Sequence, residues 1–110
     1  VRAVAALAPV GAVIEPASLA RVRVPVLLAW PEGDRFLVPR FHAGALAPQL
    51  PQAQAVPVPN AWHFAFLDTP TQPIASPDGD LRADPPGFDR AAFLDGFGQR
   101  LADFLDGALR

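Results

Sequence analysis

The stretch Val24-Pro25-Val26-Leu27-Leu28-Ala29-Trp30-Pro31-Glu32-Gly33-Asp34-Arg35 joins an unbroken apolar run to a Pro/Gly turn that carries an acid. A continuous run of β-branched and aliphatic residues suits a strand buried on both faces, as in a parallel sheet covered by helices. Ligands of such sheets gather beyond the carboxyl ends of the strands, where Asp34 falls. The next apolar run leads into Ala61-Trp62-His63-Phe64, which puts His63 twenty-nine positions after Asp34. That interval holds one helix and one strand. A carboxylate on the first turn can then orient an imidazole on the second. Asp34 and His63 are read as the acid and base of a catalytic triad whose nucleophile lies outside these residues.

Around this pair the chain alternates. Val1 to Val10 reads as a buried strand closed by Pro9 and Gly11. Ala17 to Arg21 has room for one helical turn, with Ser18 as a cap or surface residue. Pro39 suits the first position of a helix running to about Leu50, shortened by Gly44 and Pro48. Gln54 to Pro59 reads as a third strand, and Pro57 sends it to a sheet edge because proline cannot donate to the ladder. Asp68 to Pro86 is a polar loop holding Pro70, Pro73, Pro77, Pro85 and Pro86, long enough to act as a lid or specificity loop. Asp89 is placed to cap a last helix in which Phe93, Phe97, Leu101, Phe104 and Ala108 repeat at helical spacing, widened by Leu94 and Leu105. Strand, strand, helix, strand, loop, helix predicts a single α/β unit with right-handed crossovers. The first strand would have an uncovered edge, so further strands are expected before it.

Composition excludes several classes of function. The 110 residues are 51% hydrophobic and 18% charged, a globular balance. A net charge of −2 offers no basic stripe for nucleic acid. All the cations are arginine, which reads as the codon bias of a GC-rich, bacterial gene. Without cysteine there is no disulfide framework, thiolate metal site or cysteine nucleophile within these residues. This leans towards the cytoplasm but leaves the compartment unknown. No apolar run approaches the ~20 residues of a membrane span, and no leader pattern is visible. The chain begins at Val1, as if inside a strand, and is expected to be the carboxyl-terminal part of a longer protein.

Four segments together carry a resemblance: Ala8-Pro9-Val10-Gly11, Glu32-Gly33-Asp34-Arg35, Ala61-Trp62-His63-Phe64-Ala65-Phe66-Leu67, and Ala83-Asp84-Pro85-Pro86-Gly87-Phe88-Asp89-Arg90. With the strand and helix order, they resemble the carboxyl-terminal half of the α/β-hydrolases. Within these they resemble the predicted dienelactone hydrolase branch, related to platelet-activating-factor acetylhydrolase-like esterases. The resemblance implies about three parallel strands with flanking helices, the amino-terminal half being absent. It implies hydrolysis of a small ester or lactone without a cofactor or metal. The implied triad order is Ser (or Cys), then Asp, then His. Asp34 and His63 match the last two. No Gly-x-Ser-x-Gly occurs, and Ser18 and Ser76 lie outside any such turn, so the nucleophile and oxyanion loop are expected before Val1. The isolated chain is accordingly expected to be inactive.

Each residue has a plainer reading. His63 could be a buried histidine wedged between Trp62 and Phe64, and Asp34 an Asx residue capping its turn, with Glu32 as a rival acid. Trp30 and Trp62 flank the site as candidate substrate contacts, or fill core space. His42 is assigned to a solvated helix face. Asp78-Gly79-Asp80 with Asp84 misses the spacing of a calcium loop and reads as a solvated acidic loop. A non-catalytic alternative is a truncated hydrolase module that self-associates through its uncovered first strand.

Overall fold

The computed structural model describes residues 1–77 and 79–110. Its centre is the run read above. Strand β2 (Val26–Pro31) lies between β1 (Val4–Leu7) and β3 (Gln54–Val58) in a parallel sheet of order β1-β2-β3. Val4 is in register with Val26, and Leu7 with Ala29. On the other side Leu27 faces Gln54, and Pro31 faces Val58. Burial of β2 on both faces follows from its alternation. Val26, Leu28 and Trp30 point to one face, against Ala43 and Leu46 of the short helix α2 (Ala43–Leu46) and Leu19 of α1 (Pro16–Leu19). Leu27 and Ala29 point to the other, with Val56, against Phe97 and Phe104 of α3 (Arg90–Leu109). Truncating Leu27 or Leu28, both fully buried, would cost about 2–5 kcal/mol.

Helix α3 forms as its sequence dictates. The Asp89 carboxylate accepts from Ala92 N at 3.0 Å, the N-cap arrangement. Arg2 donates to Leu109 O at the other end, where a cation suits the helix dipole. Pro57 sits on β3 at a sheet edge, as its missing N–H requires.

Three expectations need correction. The first run is a strand only over Val4–Leu7, and it is largely exposed, because it pairs with β2 alone and gives only Ala3 and Ala6 to the clusters. The helix expected from Pro39 to Leu50 is broken into a 3-10 turn (Pro39–Phe41), α2, and a second 3-10 turn (Ala47–Gln49). His42 interrupts it at φ −126°, ψ −116°, and Pro48 ends its α-helical part. His42 is half-buried rather than solvated: its Nδ1 accepts from Gly11 N at 3.1 Å and ties the loop after β1 to α2. The polar loop also contains a two-stranded antiparallel hairpin, β4 (Ala75–Ser76) and β5 (Gly79–Asp80).

Candidate active site

Both turns at the carboxyl end of the sheet are fixed by backbone. After β2, Glu32 N donates to Val58 O and Gly33 N to Ala61 O, so the acid turn is bonded directly to the segment that carries His63. A Cβ on Gly33 would meet Ala61 O at 2.8 Å, closer than side chains tolerate, which explains the glycine. Asp34 follows. Its Oδ1 accepts from Phe36 N at 2.9 Å and Leu37 N at 2.8 Å. These two bonds leave Oδ2 free to take a third donor. After β3, Asn60 turns the chain at φ +50°, a conformation asparagine tolerates. Buried Ala61 then leads to a 3-10 turn (His63–Phe66) that presents the imidazole.

The two side chains meet. His63 Nδ1 lies 2.6 Å from Asp34 Oδ2, with the carboxylate side chain 1% exposed and the imidazole 23% exposed. A carboxylate accepts only, so Nδ1 carries the hydrogen and the neutral ring keeps its lone pair on Nε2. No described group hydrogen-bonds to Nε2. Phe36 and Phe64 pack on the imidazole, with ring centroids at 5.2 and 4.9 Å. The rival acid, Glu32, is exposed, and its carboxylate takes no part in the contact. The turn-capping reading of Asp34 describes its Oδ1; Oδ2 is what holds the histidine.

His63 borders two hollows. One, of about 250 Å³, has Arg35, Phe36, Trp62 and Phe64 on one side and Ser76, Asp80, Leu81 and Ala83 on the other. The second, a depression of about 280 Å³, runs from His63 and Phe64 to Leu7 and Ala8 at the end of β1. The tryptophans separate. Trp62 lines the first hollow beneath the Arg35 guanidinium, 4.7 Å from its ring. Trp30 packs against the α2 cluster and is not among the residues that line that hollow.

The remaining polar residues are engaged elsewhere. Ser18 Oγ donates to Glu15 O, and Ser76 Oγ to Gly79 O. In the acidic loop Asp78 lies outside the described residues. Asp80 accepts from the backbone of Ile74 and Arg82, which holds its carboxyl below the ordinary value, Arg82 first. Asp84 is paired with Arg90. Among the described residues no group of three His, Cys, Asp or Glu is placed to hold a metal, and no helix is long and apolar enough to cross a membrane. Sequence reading missed Arg90, which pairs with Asp84 and also donates towards backbone carbonyls that leave no trace in residue type. Comparisons with protein-family models, curated proteins and solved structures found no match in any of the three.

Proposed function

We propose that this chain is the acid/base part of a serine-type carboxylic ester or lactone hydrolase of the α/β-hydrolase kind, similar to the dienelactone hydrolase-like branch. One observation carries the reading. An aspartate and a histidine, on the turns after two adjacent parallel strands and in that order along the chain, meet at 2.6 Å with Nε2 left open. In acyl transfer that nitrogen takes the proton from an attacking hydroxyl and returns it to the leaving group. The carboxylate keeps the tautomer correct and stabilises the imidazolium that forms. The nucleophile comes from a segment outside these 110 residues. The depression between His63 and the end of β1 is where a hydroxyl from a strand beside β1 would reach Nε2. The chain alone should therefore turn over no ester.

The test pairs this chain with a segment that supplies the nucleophile the proposal requires. His63→Ala should lower the ester turnover of that pair by about a thousandfold or more, since loss of a triad member removes the proton path. Turnover surviving within a few-fold would end the proposal. A second reading, association without catalysis, draws on the unpaired and exposed outer edge of β1, where Val4 and Leu7 face solvent. Light scattering separates it: a monomeric chain at high concentration counts against edge pairing.

A further inference from the structure

Arg90 is placed at a cost. It is the first residue of α3, where the helix dipole disfavours a cation. Its side chain is 3% exposed, and its Nη1 is buried without an acceptor among the described residues. Burying a guanidinium so incompletely satisfied does not stabilise a helix. The contacts it does make all converge on one short segment. Nε and Nη2 each donate to Asp84, to Oδ2 and Oδ1 respectively, both at 2.9 Å, a two-pronged pairing. Nη2 also lies 3.2, 3.5 and 3.4 Å from the carbonyls of Leu81, Arg82 and Ala83. Two further side chains fasten the same stretch: Asp80 accepts from Ile74 N and Arg82 N, and Asn60 donates to Pro86 O. Leu81 and Ala83 form the far wall of the hollow beside His63.

We propose that Arg90 and Asp84 are a positioning pair that fixes the Leu81–Ala83 backbone as the outer wall of the His63 cavity and so limits the size of the group that reaches the imidazole. The inference rests on the hydrolase reading only in making that group part of a substrate. On that reading the substrates are esters or lactones with a compact acyl portion, fitting about 250 Å³ between Leu81 and the Phe36, Trp62 and Phe64 rings. The wall is a fixed one, held by side chains on α3 and at the end of β3.

The test needs no turnover. His63 in the 110-residue chain is acylated with a small reagent, diethylpyrocarbonate, and separately with a bulky one, decanoylimidazole, and the modified peptide is counted by mass spectrometry. Arg90→Lys keeps the charge but not the fork that spans Asp84 and three carbonyls; Asp84→Asn weakens the other side. In either variant, with an unchanged circular dichroism spectrum, the bulky-to-small ratio at His63 should rise at least tenfold over the original chain. A ratio within twofold in a folded variant overturns the proposal. Should both variants fail to fold, hydrogen exchange on the unaltered chain decides. Leu81 N and Ala83 N, bonded to Ile74 O and Asp80 O, should exchange at least a hundredfold slower than free amides, and exchange at the free rate overturns a fixed wall. The hydrolase reading fails separately, on ester turnover that survives His63→Ala.

Discussion

Two pairings of an aspartate with a nitrogen base lie near one hollow, and their burial is inverted. In Asp34–His63 the acid is sealed and the ring is partly open; in Asp84–Arg90 the cation is sealed and the acid is the more exposed partner. The first pair spends two backbone donors on orienting an acid whose remaining oxygen holds a reactive nitrogen. The second turns its donors on backbone carbonyls and leaves nothing reactive exposed. On the proposed reading, similar pairings serve chemistry where the weak base is partly open, and shape where the arginine is buried. Arginine as a residue type is a donor only, so it holds neighbouring acceptors and does not shuttle protons.

Four aspartates, taken in order of expected effect, break or sharpen that contrast. On the proposed reading, Asp34→Asn should leave the fold in place and lower ester turnover by about a thousandfold or more in a protein that supplies the nucleophile beside this chain, because an amide can donate to Nδ1 and favour the wrong tautomer. Asp84→Ala should cost about 3–5 kcal/mol in urea unfolding of the 110-residue chain, since it strands a buried guanidinium. Asp89→Ala should cost about 1 kcal/mol by the same measurement, the ordinary loss of an N-cap. Asp80 is half-buried and its effect is local and pH-dependent. Its carboxyl is held below the ordinary 3.8 by the Arg82 and Ile74 amides. Its support of the hairpin is therefore complete above that value and fades as the pH falls through the lower folded one. Amide exchange at Ile74 and Arg82 should stay slow through pH 4 and quicken only in stronger acid, with Asp80→Asn fast at both.

The same contrast marks what could be read in the chain. The Val26–Pro31 strand, the capped helix from Arg90 and the edge placement of β3 all follow from local rules: a two-sided apolar run, a 3.6-residue stripe and a proline without a donor. The meeting of Asp34 and His63 was legible because adjacent parallel strands deliver their following turns to one rim. For Trp30 the core-filling reading follows from period-two alternation, since it shares a face with Val26 and Leu28. Its neighbour in function by sequence, Trp62, follows the strand rather than lying within it, and this places it at the cavity. His42 and Arg90 were hidden for one reason. Much of what they hold is backbone: Gly11 N in one case, and in the other three carbonyls beside the Asp84 carboxylate. Any residue offers such groups, so no residue pattern announces them.

The central claim is that Asp34 fixes the His63 tautomer so that Nε2 is left as the free base of the ring. Long-range ¹H–¹⁵N correlation on the 110-residue chain, at a pH where the ring is neutral, tests this directly. The account predicts a His63 ring protonated at Nδ1 and bare at Nε2, reverting to a mixture in Asp34→Ala. A ring protonated mainly at Nε2, or a tautomer unchanged by Asp34→Ala, would contradict it.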